Sequence, residues 1–329
     1  MTASKVSIER AQALLQAGGL VAFPTETVYG LGVRADDEAS VSRLYRVKGR
    51  PSRNPLIIHI HDKAQAEALA VWTPLAARLA ETFWQGPLTL VLQRKADTKA
   101  IVDNACGGLG TVALRMPSHP QAQALLRGCS FVVAAPSANR SSHLSTTDAR
   151  DVERELGDSI DGVVDGGTTP LGLESTIIDA QGSVPRVLRW GSLSPADLEG
   201  RVGGVAWEDA CSSVSGGGVL QASGMMARHY APRTRMRLNA MSFDDNEAVL
   251  LYGKRCPAGG RVRLNLSAQG DLKEAAANFY RMLHELDKTG CDSIAVMPIV
   301  NEGLGVALND RLQRGSWRGK LGGHRNVDG

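Results

Sequence analysis

The 329-residue chain has five cysteines, Cys106, Cys129, Cys211, Cys256 and Cys291, all far apart and without a C-x-x-C pair. Neither a disulfide framework nor a zinc knuckle is supported, and the five read as free thiols in a reducing compartment. Aromatics are scarce at 5%, which argues against a base-stacking RNA surface. No window approaches about eighteen uninterrupted apolar residues, so a membrane span is not expected. Lys5, Glu9 and Arg10 flank a short amphipathic pattern that does not read as a secretory leader, which leaves a cytoplasmic protein as the expectation. The net charge of +3 suits an anionic ligand but falls short of the dense basic stripe of a nucleic-acid binder.

Familiar catalytic motifs are missing as well. There is no G-x-x-x-x-G-K-[ST], which excludes a P-loop. Gly108 to Ala113 fits G-x-G-x-x-A only nominally, since it precedes a strand instead of opening a helix. His59, His61 and Asp62 lack a third metal ligand, and His59 and His61 alternate with Ile58 and Ile60 along a strand. No Ser, His and Asp set has hydrolase-elbow spacing, and nothing marks Cys106 or Cys129 as a nucleophile.

What remains is an ordinary globular composition, 43% apolar and 22% charged, in a chain long enough for two domains with their own cores. Ser7 can cap a first helix that ends at Gly18-Gly19 and hands over to a strand at 20–23. Residues 23–32 read as a strand-to-loop passage whose glycines let backbone approach a ligand. Helices are predicted over 39–47, 63–69, 74–83, 120–126 and 149–156, and strands over 56–60, 88–92, 111–116, 131–135, 162–165, 175–179 and 187–190. This interleaving is an α/β pattern. From 200 to 223 the sequence turns to Gly and Ser, too poor in apolar residues for a regular element, and reads as a linker. Beyond it, strands at 248–253 and 293–297 bracket a helix at 271–288, a small second α/β domain.

The chemistry concentrates in Lys48-Gly49-Arg50-Pro51-Ser52-Arg53-Asn54-Pro55-Leu56, where cations, a hydroxyl and an amide crowd between apolar runs. Lys48 and Arg50, leaving a helix, can reach one phosphate or carboxylate; the plain alternative is a solvated helix end whose cations meet the dipole. Alternation puts Thr111, Ala113 and Arg115 on one strand face, with an edge-strand arginine in solvent as the plain reading. Ala134 to Asn139 follows an apolar strand with small residues, and Ser137 and Asn139 offer hydrogen bonds; an Asn turn fits equally. Ser145 can bond a phosphate, while Thr147 is the default cap of the helix at 149–156. Residues 174–179 and 187–191 resemble a hairpin presenting Ser175 and Arg189. Four cations interrupting apolar segments in one domain point to a concave, hydroxyl-lined basic pocket.

Phe23 to Gly32, Lys48 to Leu56, Thr111 to Pro117, Pro136 to Asn139, Glu174 to Asp179 and Leu188 to Gly191 resemble, in order and spacing, the Sua5/YrdC/YciO family. His229-Tyr230-Ala231-Pro232, Gly303-Leu304-Gly305 and Asn309-Asp310-Arg311-Leu312 resemble the linker and C-terminal domain of its longer Sua5 type. The resemblance implies an α/β fold: a YrdC-like open mixed sheet around a concave basic pocket over 1–200, a flexible linker acting as a lid over 201–234, and a small Rossmann-like domain over 235–329. It implies an enzyme that joins L-threonine, bicarbonate and ATP into L-threonylcarbamoyladenylate and pyrophosphate, with magnesium on the ATP. The product serves N6-threonylcarbamoyladenosine synthesis in tRNAs that read codons beginning with A, so a downstream tRNA threonylcarbamoyl transferase complex, and tRNA itself, are implied partners. Thr27, His59, Arg115, Ala135 and Ser175 would bind threonine. Arg50, Asn54, Thr111, Ser137, Ser145, Arg189 and Tyr230 would bind ATP. Lys48 would face the phosphates and, with Arg50, carry catalysis. One departure is that Ala222-Ser223-Gly224-Met225 stands where the family pattern has Ser-Pro-Gly-Met.

Two other outcomes fit a domain of this kind. Carbamoyltransferases that adenylate carbamate carry acylphosphatase, zinc-finger or large transferase modules for which this chain has neither room nor cysteine pairs. A non-enzymatic RNA-binding protein is disfavoured by the few aromatics and the near-neutral charge.

Overall fold

A computed structural model describes residues 4–202, 208–209 and 229–317. The first helix, α1 (Ile8–Gln16), starts where the Ser7 hydroxyl accepts the Arg10 amide and buries Ala11 and Leu15. Strand β1 (Val21–Phe23) is followed by a loop over 24–29 and then by β2 (Gly30–Arg34), which pairs back on β1 with Phe23 opposite Gly30. The expected strand-to-loop passage is therefore half strand. A Cβ on Gly32 would stand 2.9 Å from the Phe23 ring, so this glycine makes room for the ring rather than for a ligand.

The remaining elements of the first unit are α2 (Glu38–Lys48), β3 (Ile57–His59), α3 (Lys63–Leu69), α4 (Pro74–Phe83), β4 (Leu88–Gln93), β5 (Thr111–Arg115), α5 (Pro120–Arg127), β6 (Val133–Ala134), α6 (Ala149–Leu156), β7 (Gly162–Val163), β8 (Thr176–Asp179), β9 (Arg186–Arg189), α7 (Pro195–Val202) and β10 (Glu208–Asp209). The strands form one mixed sheet in the order β10-β9-β8-β4-β5-β3-β6-β2-β1-β7. Its central β5 runs parallel to β3 and antiparallel to β4, so Arg115 is an interior residue, not an edge arginine in solvent. Asp148, not Thr147, caps α6 by accepting the Arg150 amide. A carboxylate serves the helix N-terminus better than a hydroxyl.

Regular structure also reaches into the region read as linker. Helix α7 runs through Val202 and β10 adds to the main sheet beside β9. His229, Tyr230 and Ala231 are buried. Ala222 to Met225 and most of 201–234 lie outside the described residues.

The second unit comprises β11 (Arg235–Arg237), β12 (Glu247–Leu251), β13 (Val262–Asn265), α8 (Leu272–Leu286), β14 (Ser293–Val296) and α9 (Gly305–Ser316). Its sheet, β11-β14-β12-β13, is parallel throughout. Strand β12 is buried along its whole length, as a parallel strand covered on both faces should be. Strands β11 and β13 escaped the sequence reading because they are sheet edges carrying Arg235, Arg237 and Arg263, a charge pattern that hides a strand. Helix α8 packs on the first unit closely enough that a Cβ on Gly172, at φ +72°, would stand 2.2 Å from the Ala276 carbonyl oxygen.

Candidate functional site

The site begins at the end of α2. Gly49 takes φ 62°, its amide bonds the Arg46 carbonyl at 3.1 Å and the Arg50 amide bonds the Tyr45 carbonyl at 3.0 Å, a Schellman close that ends the helix between Lys48 and Arg50. Both side chains turn inward and are buried, so neither is a solvated helix-end cation. The Lys48 ammonium donates to the Ser137 carbonyl at 2.5 Å and to the Asn139 carbonyl. Arg50 donates to the carbonyls of Asn54 (3.2 Å) and Pro55 (2.9 Å), bracing the loop after the helix. Asn54 is fully buried, yet neither its side-chain nitrogen nor its side-chain oxygen has a hydrogen-bond partner among the described residues.

A cavity of about 30 Å³ lies at the heart of the first unit, room for a water or two. His59, Arg115, Ala135, Ser137, Ser175, Arg189 and Tyr230 line it, together with Thr25, Val28, Tyr29, Gly30, Ile57, Pro136, Glu174 and His229. These residues come from the loop before β2 and its first residue, β3, the end of β5, the turn after β6, the residues leading into β8, the end of β9 and the segment before β11. Thr27, Lys48, Arg50, Asn54, Thr111 and Ser145 are not on its wall. Thr27 stands directly behind it, its hydroxyl 2.8 Å from Arg115 Nη2. Ser145 donates to Glu174 at 2.6 Å. Thr111 is the first residue of the five-residue β5, at the end opposite Arg115.

Two walls can be distinguished. On one, Arg115 Nη2 meets Glu26 Oε1 at 2.7 Å, and Glu26 Oε2 accepts the Ser118 amide at 3.0 Å. His59 donates from Nδ1 to the Ile57 carbonyl at 3.2 Å, and burial, helped by the Arg115 cation, pushes its pKa down to about 3, so the ring is neutral. Arg189 donates through Nη2 to the Ser175 carbonyl (2.8 Å) and hydroxyl (3.2 Å), while Thr89 and Ser175 share a hydrogen bond of 2.7 Å. The hairpin of β8 and β9 thus presents Ser175 and Arg189 as a unit.

The other wall is the turn at Ser137 with Lys48 behind it. Burial, with Arg50 close by, pulls the Lys48 pKa well below its ordinary value, and burial draws Arg50 down to about 10. His229 and Tyr230 cap the cavity, their rings 4.0 Å apart. Burial lowers the His229 pKa to about 3 against the opposing pull of Glu174, and Arg50, Arg189 and Lys48 all push in the same direction as burial. Three cations that act on one imidazole converge on one volume.

Glu174, Glu26 and Tyr29 belong to the site although the sequence reading gave them no role. Glu174 and Glu26 each sit beside a flagged residue, Ser175 and Thr27, and a buried acid adjacent to a basic pocket is the signal that was available. Buried cations, hydroxyls and turn carbonyls around a small cavity can bind anions and stabilise developing negative charge without a protein nucleophile.

Residues 13–191 match the family of Sua5, YciO and YrdC, described as "Telomere recombination", and residues 197–316 match "Threonylcarbamoyl-AMP synthase, C-terminal domain". A threonylcarbamoyl-AMP synthase of Pyrococcus abyssi is 39% identical over 94% of this chain and 94% of its own. One of Bacillus subtilis is 36% identical over 93% of this chain and 92% of its own. The crystal structure of P. abyssi Sua5 complexed with L-threonine superposes with a TM-score of 0.84 at 36% identity, covering 94% of both chains.

Proposed function

The chain belongs to the Sua5/YciO/YrdC family, and on that premise we propose the reaction it catalyses: L-threonine, bicarbonate and ATP give L-threonylcarbamoyladenylate and pyrophosphate. The observation that carries this reading is the set of four buried cations in one region of the first unit: Arg115 and Arg189 on the wall of a hydroxyl-lined cavity, and Lys48 and Arg50 buried behind it. The threonine amine attacks bicarbonate-derived carbon to form a carbamate, with loss of water. A carbamate oxygen then attacks the α-phosphorus as the bond to pyrophosphate breaks. Negative charge is present at every stage, so positioning and preorganised cations are what the protein must supply.

Arg115, fixed by Glu26 and Thr27, takes the threonine carboxylate, with His59, Ala135 and Ser175 around the rest of the amino acid. Arg50, Asn54, Thr111, Ser137, Ser145, Arg189 and Tyr230 hold the nucleotide, and Lys48 with Arg50 stabilises the phosphates through the transition state. The unpartnered amide of Asn54 supports its place in this set. Magnesium accompanies ATP: among the described residues no three His, Cys, Asp or Glu converge, and Glu26 and Glu174 are each held by an arginine. This donor set fits a metal carried by phosphate oxygens, where it would neutralise triphosphate charge.

The present cavity is too small for either substrate, which supports His229 and Tyr230 as part of a lid that must lift. Tyr230→Ala should raise the KM for ATP or lower kcat; no change in either would remove the lid. The product passes to a tRNA threonylcarbamoyl transferase complex in the cytoplasm. Among the described residues, no helix is long and apolar enough to cross a membrane. Pyrophosphate release that requires both threonine and bicarbonate would bear the reading out. Release that ignores threonine and follows carbamoyl phosphate would overturn it.

A further inference from the structure

Arg311, on α9 of the second unit, is fully buried. Its Nε and Nη2 both donate to Glu174 Oε2 at 3.2 Å, and its Nη1 meets Asp310 Oδ2 at 3.0 Å. Its guanidinium carbon lies 5.0 Å from the centre of the Tyr230 ring. Glu174 is on the cavity wall, and its other oxygen accepts from Ser145 (2.6 Å) and from Tyr280 of α8 (2.7 Å). One carboxylate beside the nucleotide residues Ser145, Arg189 and Tyr230 is therefore held from the second unit.

We propose that Arg311 is a positioning residue for the nucleotide, neutralising Glu174 so that the acid does not repel the phosphates and holding the Tyr230 ring over the cavity by its face. The proposal rests on the ATP-dependent reading above. With Arg311 removed, the buried Glu174 charge loses its contacting cation and is left to the weaker pull of Arg189, a loss felt most by an anionic ligand. It is also felt little by a zwitterion bound at Arg115. The second unit is thus part of the nucleotide site and not an appendage.

The test uses the full chain and compares wild type with Arg311→Met, Arg311→Lys and the double variant Arg311→Met with Glu174→Gln. Wild-type pyrophosphate release, with its dependence on threonine and bicarbonate, is measured alongside, so that failure of the reaction itself is seen separately. Arg311→Met should raise the KM for ATP by at least about tenfold while moving the KM for threonine far less. Arg311→Lys, which keeps the charge but loses the fork and the flat stack, should fall between. Removing the Glu174 charge in the double variant should recover most of the lost ATP affinity, whereas a merely structural role would compound the damage. Equal rises in both KM values, or a double variant no better than Arg311→Met, would overturn the proposal. If Arg311→Met does not fold, the split between the two KM values in Arg311→Lys decides: an equal effect on both contradicts the proposal.

Discussion

Arg115 and Lys48 are both buried cations of the first unit, but they are held in opposite ways. Arg115 is matched by the Glu26 carboxylate at 2.7 Å and by the Thr27 hydroxyl at 2.8 Å, so its charge is compensated before any ligand arrives. Lys48 meets the carbonyls of Ser137 and Asn139, and burial together with Arg50 disfavours its charge. The difference separates a cation matched by a contacting carboxylate from one held by carbonyls, whose charge burial disfavours and an incoming anion would favour. On the proposed reading, the Arg115 side takes a small zwitterion and the Lys48 side a triphosphate.

The contrast breaks if the two cations respond alike to removal. Arg115→Met strands the buried Glu26 charge and should cost about 3–5 kcal/mol of stability, seen by denaturant unfolding, along with threonine-dependent turnover. Lys48→Met leaves two carbonyls without a donor but strands no charge, so it should cost clearly less stability than Arg115→Met, while kcat falls by about two to three orders of magnitude. A Lys48→Met as destabilised as Arg115→Met would show that the lysine is held for the sake of the fold.

A subtler effect follows from Glu174. Burial would raise its pKa, but Arg311, Arg189 and the hydrogen bonds from Ser145 and Tyr280 hold it at about 2, below the ordinary 4.5. Between these values the unfolded chain binds the proton that the folded chain refuses, so stability rises with pH there. The contribution is complete above about 4.5 and is lost as pH falls towards 2. Glu174→Gln should flatten that part of the acid-unfolding profile; a profile identical to wild type would mean the carboxylate is not held in its charged form.

Much of this was legible locally. The helix end at Lys48-Gly49-Arg50 could be read because capping is written in adjacent residues, and the face of β5 carrying Arg115 because strand alternation has period two. Gly32 was misread because a glycine has the same appearance whether it admits a ligand, as Gly30 on the cavity wall can, or a neighbouring ring, here Phe23. The pairing of Glu174 with Arg311 spans 137 positions, beyond any local pattern, although both residues lie in segments that resemble the family. Lys48 was expected to face phosphates, and its bonds to the Ser137 and Asn139 carbonyls are long-range contacts of the same illegible kind.

One site joins three small molecules by positioning and charge stabilisation, without a protein nucleophile. Carbon-labelled bicarbonate, supplied with ATP, magnesium and L-threonine, tests it most directly. The account predicts label in a labile adduct with AMP, formed in step with pyrophosphate and only when threonine is present. Pyrophosphate released without label transfer, or label transfer without threonine, would contradict it.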